Sequence, residues 1–207
     1  AITTVSVLFF ERLMERFPNI PRQKVRLLPN FVDVAGYRQS QHEQSRFTLA
    51  MIGYVPAKKG LAEALHTLAA LRQHDNRYRL KLFGKSPAEL PWLSNHPDEL
   101  EYFTHCQQLV QQLNLADAVE HIGFADIKQA LAQHQVGFVL SVSAAMRELP
   151  GFESFHLAVA DAYAAGAVGL VKHWTGCEYV YPAQMITPDR DALVSKIWQL
   201  TQDKAAY

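Results

Sequence analysis

Phe47-Thr48-Leu49-Ala50-Met51-Ile52-Gly53-Tyr54-Val55-Pro56-Ala57-Lys58-Lys59-Gly60 is the stretch on which the fold turns. It begins as a buried-strand run, stops at a glycine and turns through two lysines. From Gly60 to Leu71 apolar residues recur at helical spacing, so an amphipathic helix is expected there. Tyr78 to Phe83 alternates and stops at Gly84, which reads as a second strand. Strand, helix and strand repeat outward from this centre. Downstream, a proline-rich connection (Pro87, Pro91, Pro97) leads to a helix over 99–113, a strand over 119–122 and a helix over 127–134. A strand over 136–140, a helix over 157–165, a strand over 168–171 and a closing helix over 189–202 follow. Upstream, Val5 to Phe17 reads as a helix, Val25 to Leu28 as a strand, and the polar residues 36–46 as a loop. Such alternation means βαβ units, a parallel sheet and right-handed crossovers: an α/β fold.

Composition narrows the class. The 207 residues correspond to about one to one and a half domains, and they suffice to bury a full core. With 49% hydrophobic and 11% aromatic residues, a disordered or fibrous chain is excluded. Twenty Lys and Arg balance twenty Asp and Glu. That leaves no bulk positive field for nucleic acid, so no nucleic-acid partner is expected. The longest apolar candidate for a membrane span, Leu157 to Val171, is interrupted by Asp161. Cys106 and Cys177 lack CxxC spacing, and neither a zinc site nor a disulfide framework is expected. A reduced, cytoplasmic protein fits. The chain starts at Ala1 without an initiator Met, and we expect a piece of something longer.

In parallel sheets ligands sit outside the carboxyl ends of the strands. The residues to search are therefore Gly53-Tyr54, Gly84-Lys85, Gly123-Phe124 and Ser141 to Ser143. Glycine permits close backbone approach to a ligand, although glycines also end strands in α/β folds at large. Neither GxxxxGK[ST] nor GxGxxG after a strand is present, and there is no HExxH, so nucleotide-triphosphatase, dehydrogenase and zinc-protease chemistry lose ground. The nine histidines are scattered.

Two segments stand out. In Gly53 to Gly60, Lys58 and Lys59 occupy a short loop at the ligand edge, where an ammonium suits a diphosphate; the alternative is a solvated turn. In Glu153-Ser154-Phe155-His156-Leu157-Ala158-Val159-Ala160-Asp161, a glutamate precedes a helix. The first amides of that helix, around Phe155, His156 and Leu157, lack intrahelical partners and form an anion site. Asp161 lies among small apolar residues and needs a hydrogen-bond partner or a wet edge, which a ribose would supply. The alternative is a solvated face.

Seven stretches follow one another in a fixed order: Leu28 to Asp33, Gly53 to Gly60, Leu80 to Gly84, His121 to Phe124, Val136 to Ser143, Glu153 to Asp161 with Ala164-Ala165-Gly166, and Thr175 to Glu178. Together they resemble the C-terminal, donor-binding half of GT-B glycosyltransferases, the retaining group called family 4 or group 1. The corresponding family patterns read PNGVD, GRLxxxKG, LxIxG, FxGxV, ADVFVxPS, E-x7-E with MAxGxPV, and GGxxE. The resemblance implies a Rossmann-like parallel sheet with helices on both faces. It also implies transfer of a sugar, with retention, from a nucleotide-sugar to a polysaccharide or lipid-linked glycan.

Roles follow from the resemblance. Glu153 would contact the hexose, and the amides near Phe155, His156 and Leu157 would bind sugar and diphosphate. Asp161 would hold the ribose, and Phe124 would face the base. Lys59 would neutralise the departing diphosphate, in a loop where Gly53, Tyr54 and Lys58 also meet the donor. No metal and no cofactor are implied. Residues 1–30 would end an acceptor-side domain and cross over, 31–187 would bind the donor, and 188–207 would be a C-terminal helix. The acceptor domain is not in this chain, so little turnover is expected from it alone, and the full protein is expected at the membrane periphery.

The chain also departs from the pattern. Tyr54 replaces an arginine, with Lys58 a substitute cation, and Asp161 replaces a glutamate. His156 replaces a glycine and would either crowd the phosphate or, protonated, donate to it. The segment 144–151 is long and offers Glu148, beside Arg147, as a rival acid; only Glu153 gives the eight-residue step to Asp161. These departures are the warrant for a second reading, a non-catalytic nucleotide-sugar-binding or interaction module. A GT-B-like sugar-nucleotide epimerase is a third.

Overall fold

The computed structural model describes residues 1–40, 43–143, 153 and 155–203. Its main sheet has six parallel strands: β3 (Thr48–Ile52), β4 (Arg79–Phe83), β5 (Val119–Gly123), β6 (Phe138–Ser141), β7 (Val168–Lys172) and β8 (Ile186–Thr187). The order across the sheet is β5-β4-β3-β6-β7-β8. Chain order thus reverses between β3 and β6, and the crevice outside their carboxyl ends is the topological switch point.

Alternate strand residues feed two cores. Leu49, Met51, Leu80, Leu82, Phe138 and Leu140 face α2 (Leu61–His74), α3 (Pro97–Gln112) and α6 (Arg190–Gln202). On the opposite face Ala50, Phe83 and Val139 meet α4 (Ile127–Gln133) and α5 (Leu157–Ala164) through Ala130, Leu131, Ala158 and Ala162. Helices therefore cover both faces of a Rossmann-like sheet. α6 contributes Leu193, Val194 and Ile197 to the first core, and Arg190 pairs with Glu63 of α2 at 2.8 Å.

Local chemistry sets the helix ends. Asp126 caps α4 by accepting from the Lys128 amide at 3.1 Å, and Asp189 caps α6 through the Ala192 amide at 2.9 Å. Pro97 opens α3 with Asp98 and Glu99 in its first turn, favourable to the helix dipole. The α3 helix begins two residues earlier than its apolar periodicity suggests. In contrast, α5 has no side-chain cap at its N-terminus among the described residues.

The first thirty residues stand apart from the main sheet. β1 (Ile2–Thr4) and β2 (Val25–Leu27) form a separate two-stranded parallel sheet, joined by α1 (Val7–Arg16), none of whose residues is buried. Three-residue β1 and two-residue β8 are too short to carry a legible alternation. The segment expected as a loop over 36–46 ends in a 3-10 turn over Glu43–Phe47. Its earlier part is strapped to α4 and the end of α5: the Arg38 amide donates to Lys128 carbonyl and the Ser40 amide to Ala165 carbonyl, both at 2.9 Å.

Among the described residues no helix is long and apolar enough to cross a membrane.

Candidate functional site

Four pieces of backbone converge at the switch point. β3 is followed by Gly53, whose φ of +68° turns the chain out of the sheet. The 3-10 turn Ala57–Lys59 follows and is fixed from two sides. Glu99 of α3 accepts from the Ala57 amide at 2.7 Å, and Gly60 closes the turn with φ +81°. A Cβ at Gly60 would stand 2.1 Å from the carbonyl oxygen of Val142, just past β6. Only glycine allows the turn to lie against the end of β6 in this left-handed conformation. Gly60→Ala is therefore expected to cost about 2 kcal/mol, from positive-φ strain plus the backbone collision; urea unfolding measures it.

This arrangement delivers Lys59 to Glu153. The ammonium lies 2.9 and 3.0 Å from the two carboxylate oxygens, and the side chains are only 19% and 7% exposed. Beside the pair, α5 presents its N-terminus. The amides of Leu157 and Ala158 have no hydrogen-bond partner among the described residues, whereas the Val159 amide reaches the His156 carbonyl at 3.1 Å. A shielded lysine, a carboxylate and helix-terminal amides without partners among the described residues are groups that could together receive an anion joined to a hydroxylated group. Lys58 lies next to Lys59, with no ion-pair partner among the described residues.

Two positions differ from their expected roles. The Tyr54 ring is 3% exposed and packs edge-on against Phe103 and His121. Burial pushes its hydroxyl up to about 12. The ring thus fills the first core and leaves only backbone at the ligand edge. His156 also turns inward. Its Nδ1 lies 2.8 Å from Ser141 Oγ, and its Nε2 is buried without a partner among the described residues. Burial first, and the Lys59 charge second, lower its pKa to about 4. It is a neutral core residue that neither crowds the helix terminus nor donates there as a cation. Its amide, expected among the free ones, donates to Tyr181 Oη at 2.9 Å, and that hydroxyl donates to the His156 carbonyl at the same distance.

Asp161 already has a partner in the chain. Its carboxylate accepts a hydrogen bond from the Tyr37 hydroxyl, contributed by the 33–40 strap. Burial raises its pKa, and the Tyr37 bond opposes the rise. Tyr37→Phe is expected to raise the Asp161 pKa further and to cost about 1 kcal/mol, readable by carboxyl NMR titration and urea unfolding.

The remaining candidates lie at the rim. Phe124 is 86% exposed beyond Gly123 of β5, and Leu157 is exposed at the tip of α5. Phe155 lines a hollow of about 200 Å³ together with Val5, Ser6, Leu27 and Pro29 of the N-terminal segment. Glu148 and Arg147 lie outside the described residues. A larger cavity, about 960 Å³, opens at the opposite ends of the strands among Arg46, Arg77, Arg79 and Lys81. Three of those cations are tied to carboxylates: Arg46 to Glu43, Arg77 to Asp75 and Lys81 to Glu120.

Tyr37, Glu99 and Tyr181 support the site but carry no sequence signal, and Ser141, legible as a strand-end residue, gives no sign of its pairing with His156. Each acts across 15 or more residues of separation, where spacing patterns are silent.

Comparisons with known proteins agree with the fold. A search of curated proteins finds no match. Among solved structures, HepE of Anabaena in complex with UDP and glucose superposes with a TM-score of 0.77 at 18% identity, over 99% of this chain and 54% of that one. A variant of S. aureus TarM, in complex with Fondaparinux, alpha-GlcNAc-glycerol and UDP, gives 0.72 at 12%, over 100% and 38%. The C-terminal domain of LpcC, a glycosyl transferase group 1 family protein from Francisella tularensis, gives 0.63 at 15%, over 84% and 90%. The chain thus spans about half the length of HepE, and less of TarM. The family described as glycosyl transferases group 1 matches residues 46–203, from the turn before β3 to the residue after α6. The chain belongs to that family and has the fold of a GT-B C-terminal domain.

Proposed function

We propose that this chain is the donor-binding part of a glycosyltransferase that transfers a sugar, with retention, from a nucleoside diphosphate sugar to a glycan or lipid-linked acceptor. The single observation that carries the reading is the Lys59–Glu153 pair set beside the uncapped N-terminus of α5. The α5 amides and Lys59 would hold the diphosphate, with Lys59 drawing charge as the diphosphate departs. Glu153 would accept from sugar hydroxyls. Phe124 stands two strands from the β3/β6 crevice, about 10 Å away, within reach of the base of a nucleotide lying along the strand ends. Asp161 would take a ribose hydroxyl on whatever acceptor capacity Tyr37 leaves.

Membership of the group 1 family supports this reading, as does the presence of UDP in the HepE and TarM structures. The acceptor would be supplied across the cleft by a domain that precedes β1, in a protein about twice as long. The inward turn of His156 favours this reading over a non-catalytic module, since the side chain is directed at Ser141. We further propose a cytoplasmic protein whose transfer step needs no metal.

Calorimetry with UDP, GDP, ADP and their sugars tests the proposal. One nucleoside diphosphate is expected to bind, and Lys59→Ala to weaken it at least tenfold. Binding of none, or binding indifferent to Lys59, contradicts the donor reading.

A further inference from the structure

Beyond β7 the chain folds back on itself and collects three unlike donor groups. His173 follows Lys172 directly, and Cys177 and Glu178 begin the 3-10 turn Cys177–Tyr179. One donor atom from each of the three lies within 4.8 Å of the others, and His173 Nε2 stands 4.0 Å from Glu178 Oε2. We propose that His173, Cys177 and Glu178 form a binding site for a zinc-class divalent cation.

The donor set fits that class. Imidazole nitrogen, thiolate sulfur and carboxylate oxygen are the ligands zinc and its neighbours accept, whereas magnesium and calcium take oxygen alone. In a tetrahedral site with bonds near 2.0–2.3 Å, donors stand about 3.3–3.8 Å apart. The three groups must close by at most about 1 Å. His173 and Glu178 have room to do so, because their side chains are about half exposed. The third is fixed: Cys177 is buried against Val159, Val171, Trp174 and Tyr181.

The backbone holds the arrangement without an ion. The His173 amide donates to Thr187 carbonyl at 2.8 Å, the Cys177 amide to Trp174 carbonyl at 3.1 Å, and the Gly176 amide to Glu178 Oε2 at 3.1 Å. Binding would displace the thiol proton to solvent and leave the fourth position to water. The spacing, His-x3-Cys-Glu, belongs to none of the CxxC or HExxH patterns, so the set emerges only when the chain is folded.

The consequence is a clamp. The ion would tie the end of β7 to the turn that leads to Tyr181, whose hydroxyl holds both backbone groups of His156 ahead of α5. The site does not depend on the donor reading and can be tested without nucleotide.

Cobalt(II) titration of the reduced chain is the experiment. A single site is expected, with near-ultraviolet thiolate-to-cobalt charge-transfer absorption and visible bands of four-coordinate intensity. Zinc should bleach both, and magnesium should not. Cys177→Ser should abolish the charge-transfer band while Cys106→Ser keeps it. His173→Ala and Glu178→Gln, at exposed positions that leave the core intact, should each weaken cobalt at least tenfold. Absence of a thiolate band at millimolar cobalt, or a titration unchanged in His173→Ala, overturns the site.

Discussion

Lys59→Ala is expected to destabilise the chain by about 3 kcal/mol, and Lys59→Ala combined with Glu153→Gln by clearly less than the two single changes added. The reason is where the charges sit. Glu153 is almost enclosed and Lys59 is largely so, and the ammonium bridges both carboxylate oxygens within 3.0 Å. Removing one member leaves the other uncompensated in a poorly solvated place, which costs far more than the pair contributes net. Neutralising the survivor relieves that penalty. A double-mutant cycle by urea unfolding is expected to give a coupling of about 2 kcal/mol. A coupling below about 1 kcal/mol would mean that the pair is screened like a surface salt bridge. The shielded charge proposed for the diphosphate would then not exist.

Acidification gives the second large effect. In the unfolded chain His156 takes up its proton near pH 6.5, whereas in the folded chain burial delays uptake until about 4. Between those values the unfolded state binds more protons. The contribution of His156 is therefore complete above pH 6.5 and drains away as pH falls toward 4. A difference of about 2.5 units amounts to about 3 kcal/mol. Asp161 works in the opposite sense: its raised pKa means the folded state holds a proton more readily, a gain at low pH. The measurement is therefore a difference. Unfolding free energies of wild type and His156→Gln, taken from pH 7 to 4, should converge by about 3 kcal/mol as the pH drops. Parallel curves would show that the imidazole is solvated in the folded protein and faces the helix terminus after all.

The elements of the main sheet, apart from two-residue β8, were legible because each is written locally. Leu49, Met51, Leu80 and Leu82 repeat at the strand period, and Leu61, Ala64, Leu65 and Leu68 at the helix period. Gly53, Gly84 and Gly123 mark three strand ends, all at positive φ. Strand order was not local. It depends on which hydrophobic faces the helices cover, and it is read from the structure alone. At the site, the approach of Lys59 to Glu153 spans 94 positions and left no periodic trace. Side-chain direction was the other hidden quantity. His156 and Tyr54 stand at ligand-edge positions in the chain, yet Ser141 and the Phe103–His121 pair draw them into the interior. Tyr37 likewise reaches Asp161 from a loop with no motif of its own.

Amide NMR on the 15N-labelled chain tests the donor reading most directly. On titration with whichever of UDP, GDP and ADP binds in calorimetry, the Leu157 and Ala158 amides should show the largest shifts, with Lys59 close behind, and those shifts should collapse in Lys59→Ala. Largest shifts instead at Arg46, Arg77 and Arg79, at the far ends of the strands, would contradict it.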